Sequence, residues 1–395
     1  QHSINQQYQL WLKKNYPSKK DLTQQKEESK QFRYQPLISI ITPVYNPSPN
    51  HFKECLNSVI NQSYPNWQLC LVDDASSNKQ IPSIIKQYAE KEKRISFLLR
   101  KTNGHICHAS NDALTMAKGE YIALLDHDDF LWPNALYEVV KLLNKKPHAQ
   151  FIYSDEDKLN YDGKTHLDPF FKPDWSPDYL RSINYITHFA VLKKSLVEKI
   201  GGFRVGTEGA QDWDLFLRAS FWLEKNVGHC HPLDNKNPIQ HIPTVLYSWR
   251  KTPQSTSSKK HAGKVKKYAY KKQLSVIKNF IAIKNKSLIN YLNFKHSQYL
   301  GQVLVELRDK KQVQKIEKIL IVNLKKKALL EKKYLYFLFL IQDSFVLLPQ
   351  KIIGEKVFNH RNEFLFFDKH PQSFPFVLKK DSFFNYYYVE QEAKK

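Results

Sequence analysis

Between residues 37 and 129 four apolar, β-branched runs alternate with segments of helical spacing, and no other feature restricts the fold as much. The runs are LISIITPVYN (37–46), WQLCLVDDAS (67–76), ISFLLRK (95–101) and EYIALLDHDD (120–129). Between them, HFKECLNSVINQ, IPSIIKQYAEKE and CHASNDALTMAKG carry apolar residues at helical intervals. Near-continuous apolar strands alternating with helices predict an α/β fold, with a mostly parallel sheet covered by helices on both faces. Ligands of such sheets bind beyond the carboxyl ends of the strands. Three ends carry polar signatures, Thr42 to Asn46, Asp73 to Ser76 and Asp126 to Asp129, and parallel strands place all three along one crevice.

Beyond this block, FIYSDEDKLNYDGK (151–164) reads as a strand followed by an acidic turn, and FKPDWSPDYL (171–180) as a loop punctuated by proline. HFAVLKKSLVEKIGGF (188–203) reads as strand, short helix and glycine stop, and QDWDLFLRASF (211–221) as a helix with acids in its first turn, where the macrodipole favours them. IPTVLYSWRKTPQSTSS (242–258) reads as a strand running into a polar loop. Ahead of the alternation, residues 1–35 predict one or two helices, interrupted at Pro17, and a linker. At 395 residues the chain exceeds the size at which single cores stop growing. The expected division is a helical extension at 1–35, a catalytic-type α/β domain at 36–260, a helical linker at 261–309 and a basic module at 310–395.

The longest apolar run, YLYFLFLI at 334–341, is far shorter than the roughly 20 residues of a membrane-spanning helix. No apolar stretch opens the sequence, which favours a cytoplasmic location. Cys55, Cys70, Cys107 and Cys230 have neither metal-binding nor disulfide-scaffold spacing and are expected as free thiols. The net charge of +23 is concentrated in the C-terminal third. Such a surface suits an anionic membrane leaflet, a polyanionic glycan or nucleic acid, and a solvated lysine-rich face is the competing account.

Clustered carboxylates repel one another unless a positive charge sits between them. A divalent cation bridging a diphosphate supplies that charge to Asp126 and Asp128, since Mg²⁺ and Mn²⁺ take one or two protein carboxylates and fill the remaining positions with phosphate and water. The rival readings are an acidic turn capping the next helix from Asp129 or Asn134, and a phosphatase-type aspartyl nucleophile. The second is disfavoured because such a nucleophile sits on a domain's first strand.

Taken in order, ISIITPVYN, LVDDAS, NGHICHASNDAL, AKGEYIALLDHDD, GGF and QDWDLFLR resemble the GT-A glycosyltransferases of family 2, in particular bacterial enzymes that build O-antigen, capsule or other surface polysaccharides. The resemblance covers about residues 36 to 260. It implies a metal-dependent, inverting, hexosyltransferase-like enzyme that moves a sugar from a nucleoside-diphosphate sugar to a hydroxyl of a glycan or lipid-linked glycan. By this resemblance Pro43, Val44 and Tyr45 hold the base and ribose, Asp74 binds the base, and Arg100 and Asn103 complete the nucleotide pocket. It assigns Asp128 to the Mn²⁺ or Mg²⁺, with Asp126 between ribose and metal, and Asp212 to the general base. His188, Phe203 and Trp213 fall on the acceptor side, with packing as the alternative for each. Asp155, Glu156 and Asp157 match a recurrent YSDED segment and face either sugar hydroxyls or solvent. His127 and Asp129 receive no role.

The family often has Tyr-His-Trp-Arg where this chain has Tyr247, Ser248, Trp249 and Arg250, so His241 or a loop residue is expected to replace the lost imidazole. Gln211 stands where many relatives carry Glu, and the Gln-x-x-Arg-Trp signature of processive synthases does not occur. The expected donor is a UDP-sugar, with dTDP as rival; peripheral contact with an anionic membrane is expected and nucleic acid is not. The alternative function is a non-catalytic glycan- or polyanion-binding protein on a decayed scaffold. Finally, YLYFLFLIQDSFVLLPQ, FLFFD and FVLKKDSFFN echo YIALLDHDDFLWPN, FIYSD and FAVLKKSLVE in the same order, which predicts a degenerate second copy without the metal acids.

Overall fold

The structure is a computed structural model; it describes residues 2–228, 230, 234–251, 266–284, 289, 292–296, 303–307, 335–341 and 344–350. In chain order the elements are α1 (His2–Asn15), α2 (Lys19–Lys30), β1 (Ile38–Val44), α3 (Pro49–Ile60), β2 (Trp67–Asp73), α4 (Gln80–Lys91), β3 (Ile95–Leu99), α5 (His105–Met116), β4 (Tyr121–Leu124), β5 (Phe130–Leu131), α6 (Ala135–Lys145), β6 (Phe151–Leu159), β7 (His166–Phe170), α7 (Pro177–Ser182), β8 (Ala190–Lys193), α8 (Lys194–Lys199), α9 (Gln211–Asn226), β9 (Ile239–Arg250), α10 (Lys266–Lys284), β10 (Leu292–His296), β11 (Val303–Leu307), β12 (Leu335–Ile341) and β13 (Ser344–Gln350). They fall into two compact units, residues 1–175 with 186–267, and residues 176–185 with 268–395.

The first unit holds one large sheet, ordered β3-β2-β1-β4-β8-β6-β9-β5, with β7 paired to β6. The strands β3, β2, β1 and β4 run parallel, in registers such as Ile38 opposite both Trp67 and Tyr121. β8 joins antiparallel to β4, and from there the sheet is mixed. The chain leaves β1 toward β2 and β3 and then returns to β4 on the other side, so the topological switch lies at β1, where a crevice is expected. Every residue of β2 and all but one of β1 are buried, which accounts for their unbroken apolar reading. Gly119 opens β4 because a Cβ there would lie 2.5 Å from the Leu37 carbonyl oxygen.

The N-terminal extension belongs to this unit. α1 lays Tyr8, Trp11 and Leu12 on Trp132, Val245 and Phe171. It ends before Pro17, and Ser18 then starts α2 with a reciprocal cap, its hydroxyl accepting from the Asp21 N–H at 3.2 Å while its own N–H reaches the Asp21 carboxylate at 2.8 Å.

One local expectation is corrected. Asp155, Glu156 and Asp157 are not an acidic turn or a solvent-facing segment; β6 continues through them to Leu159 and all three are buried. Each has found a partner distant in sequence. Asp155 bonds His241 at 2.8 Å, Glu156 faces Lys172 at 3.3 Å, and Asp157 accepts from Tyr8 at 2.7 Å and lies 2.8 Å from His166 Nδ1. All four cysteines are free thiols.

In the second unit, α10 supplies the helix expected after residue 261. Strands β10 and β11 follow where a helical linker was expected up to residue 309, and with β13 and β12 they form a four-stranded antiparallel sheet. Pairing across the two strands, the reason for this departure, is a long-range term that local spacing does not carry. The echo of β4 at 334–350 does not extend to the pairing. β12 and β13 form an antiparallel hairpin with Leu335 opposite Gln350, whereas β4 pairs parallel with β1. The echoes at 364–368 and 376–385 lie outside the described residues.

Candidate active site

The carboxyl ends of β1 and β2 are tied together by backbone and side chain. The Asp74 N–H donates to the Val44 carbonyl at 2.8 Å. Asn46, turning out of β1 at φ 47°, accepts from the Asn78 N–H at 3.1 Å through its side chain. Asp74 is buried and its Oδ1 accepts from Arg100 at 3.0 Å and from the Gly104 N–H at 2.9 Å, while Asn103 donates to its carbonyl at 3.0 Å. A Cβ at Gly104 would stand 2.6 Å from the Arg100 guanidinium and push it from its place against Asp74. Arg100 also reaches Asp112 at 3.3 Å. Thus Pro43, Val44, Tyr45, Asp74, Arg100 and Asn103 come together at one edge of the crevice. Val44 is buried beneath it, and the Tyr45 ring is 50% exposed.

The acidic turn after β4 forms the next edge. Oxygen and nitrogen atoms of Asp126, Asp129 and His188 lie within 4.8 Å of one another, a spacing able to hold a cation. His188 Nε2 is 3.7 Å from Asp126, its Nδ1 is 3.5 Å from Glu156, and its ring stacks on Tyr247 at 4.6 Å and 10°. Asp129 accepts from the Tyr247 hydroxyl at 2.5 Å and from the Arg250 N–H at 2.8 Å. Arg250 Nε donates to the Asp128 carbonyl at 2.6 Å. Asp128 itself, half-buried, is not among the three converging groups; Asp129, which received no role in the sequence, is.

Charge is unevenly held here. Burial, helped by Asp128 and Asp126, pushes the Asp129 carboxyl well above its ordinary range, and burial with Asp129 beside it does the same to Tyr247. Burial opposes the charges of Asp126 and His188. Their mutual attraction outweighs it, lowering the aspartate and, together with Glu156, raising the imidazole.

Asp212 sits in the first turn of α9. Burial raises its pKa, the His188 charge lowers it and Asp126 raises it, so the side chain lies within electrostatic reach of the acidic turn. Asp214 is turned away into an ion pair with Arg218 at 2.7 Å, and Arg218 also donates to the carbonyls of Ile200 and Gly202. Phe203 and Trp213 are buried at 5% and 1% exposure. Burial of this degree favours the packing alternative for both rings. His188 lies in the acidic cluster. Ser248 pairs with Trp132 at 2.9 Å and lies 3.1 Å from His166, and His241 is bonded to Asp155 and Asp174. His188, in the bend that precedes β8, is an imidazole that stands by the acids.

Residues 39–201 match the model of glycosyl transferase family 2. An uncharacterised glycosyltransferase of Rickettsia prowazekii is 32% identical over 225 residues, 55% of this chain and 68% of that protein. The chain belongs to family 2 of the glycosyltransferases. Its sheet, with the switch point at β1, is the GT-A arrangement of this family. An uncharacterised protein of Sinorhizobium fredii is 46% identical over 227 residues, 58% of this chain, and an O-antigen biosynthesis protein of Myxococcus xanthus is 38% identical over 222 residues, 56% of this chain. This glycosyltransferase spans only 24% and 17%, respectively, of the length of those two relatives.

Proposed function

We propose that this glycosyltransferase moves a sugar from a nucleoside-diphosphate sugar, by a single inverting displacement assisted by Mn²⁺ or Mg²⁺, to a hydroxyl of a growing surface glycan. The observation that carries the reading is that the Asp74–Arg100 edge, after β2, and the Asp126–Asp129–His188 cluster, after β4, flank the end of β1. The similarity to the O-antigen protein supports a glycan or lipid-linked glycan acceptor. UDP is the favoured nucleotide and dTDP the rival.

Tyr45 offers an exposed ring to a base, and Asp74, fixed by Arg100 and Gly104, positions an acceptor for the base N–H groups. The donor set of the acidic turn, two carboxylates and an imidazole, fits a hard divalent cation, and the raised Asp129 is a carboxyl whose charge a cation would restore. Asp126, Asp129 and His188 would hold it, with Asp128 at the rim. When bound, it supplies Lewis-acid stabilisation of the leaving diphosphate. Asp212 takes the proton from the attacking hydroxyl, and its burial makes it a stronger base than a solvated aspartate.

A screen of UDP-, dTDP- and GDP-sugars, reading released nucleoside diphosphate with and without Mn²⁺, tests the proposal. Release that requires both one donor and the cation is expected. Release unaffected by chelation would remove the metal, and no release with any donor, in the presence of glycan acceptors, would remove the nucleotide-sugar reading.

A further inference from the structure

Beneath His188 lies a buried ion pair to which the chemistry above gives no task. Lys172 is fully buried, and its ammonium faces Glu156 at 3.3 Å, donates to the Ile186 carbonyl at 2.6 Å and donates to the His188 carbonyl. Glu156 Oε2 accepts from the Thr187 hydroxyl at 2.7 Å and from the His188 N–H at 3.0 Å. The two side chains therefore grip the 186–188 backbone through both its donors and its acceptors. The same Oε2 is 3.5 Å from His188 Nδ1, on the side of the ring opposite the Nε2 that faces Asp126.

A buried ion pair is weak evidence for stability, because apolar side chains of similar volume often serve as well. Its use here is directional. His188 Nδ1 makes no hydrogen bond, and the Glu156 carboxylate 3.5 Å behind it acts through its charge and through its hold on the His188 N–H, biasing the ring so that Nε2 faces Asp126, as outer carboxylates orient metal-binding histidines. Tyr247, stacked on the ring, removes the remaining freedom of rotation.

We infer that Glu156, held by Lys172, is a positioning residue that directs His188 Nε2 into the cation site. The inference rests on the proposed metal reading, and the test separates the two. Binding of Mn²⁺, alone and with UDP, is followed from the electron paramagnetic resonance signal of the free ion, with thermal unfolding recorded for each variant of the full chain.

His188→Ala is expected to weaken Mn²⁺ binding at least about 10-fold. Glu156→Gln leaves the Lys172 charge without its partner and can impair folding, so the decisive variant is Glu156→Gln with Lys172→Met, which buries no unpaired charge. It is expected to unfold near the temperature of the unaltered chain yet bind Mn²⁺ about 10-fold or more weakly. If His188→Ala weakens binding and the double variant does not, the positioning role is overturned and the metal reading stands. If His188→Ala leaves Mn²⁺ binding unchanged, the positioning role falls and the carboxylates hold the ion without the imidazole; if the unaltered chain binds none, both fall.

Discussion

At the scale of single residues, Asp212 carries the sharpest prediction. Asp212→Asn keeps the shape and removes the base, so transfer is expected to fall about 100-fold or more while binding of the nucleoside diphosphate stays within about twofold. Steady-state rates and calorimetric binding check this. The pH dependence has a definite sign. A base works when deprotonated, and burial raises the Asp212 pKa. The acid limb of kcat is therefore expected to lie at higher pH than a solvated aspartate would give, and a rate flat into the range of free aspartate would exclude Asp212 as the base. Asp126→Ala, by contrast, is expected to weaken Mn²⁺ binding as well as transfer, since Asp126 belongs to the cluster. Of these residues, Asp126 and Asp212 were legible from their motifs. Asp129 was not, because its importance depends on Tyr247 and Arg250, more than a hundred positions away.

Among the elements, α9 shows how the proposed base is held still. Asp212 occupies its first turn, and two residues on Asp214 pairs with Arg218, whose guanidinium is fastened to the carbonyls of Ile200 and Gly202 at the end of α8. Arg218→Met leaves the buried Asp214 with Arg204 alone, at 3.6 Å, an expected loss of about 2–4 kcal/mol in urea unfolding, below that of a fully unpaired buried charge. Gly202 completes the junction at φ +64°, where an added Cβ would meet Asn111 Oδ1 at 2.6 Å. Gly202→Ala is expected to cost about 1–3 kcal/mol by the same measurement. Helical spacing and the glycine stop announced α8 and α9 in the sequence. That Asp214 is structural followed from its angular offset from Asp212, but its anchor on α8 did not. β6 was misread at Asp155–Asp157 because three adjacent acids look like solvated turn until their distant partners are known.

For the molecule, the N-terminal extension is part of the catalytic unit. α1 covers Trp132 and Val245, and its Tyr8 hydroxyl donates to Asp157 Oδ2. Removing residues 1–17 exposes that apolar surface, at a cost of about 3 kcal/mol from Tyr8 and Leu12 alone, and is expected to lower Tm by roughly 5–10 °C. An unchanged Tm would show α1 to be a dispensable appendage. Among the described residues no helix is long and apolar enough to cross a membrane.

The sequence by itself determined the alternation of strands and helices from residue 37 onward, the three polar strand ends and the family, because apolar period and short motifs are local properties. The helix break at Pro17, the strand ends at Asp73 and Leu124 and the position of Asp212 on α9 follow from it. Only the tertiary structure decided what surrounds the acids. Asp129 is held by β9, His188 stacks on Tyr247 beside the acids, and Glu156 and Lys172 lie beneath His188. These are pairings between residues far apart in the chain, chosen by burial. A charge enters a low-dielectric interior only with a partner, and that partner is fixed by packing rather than by neighbours in sequence.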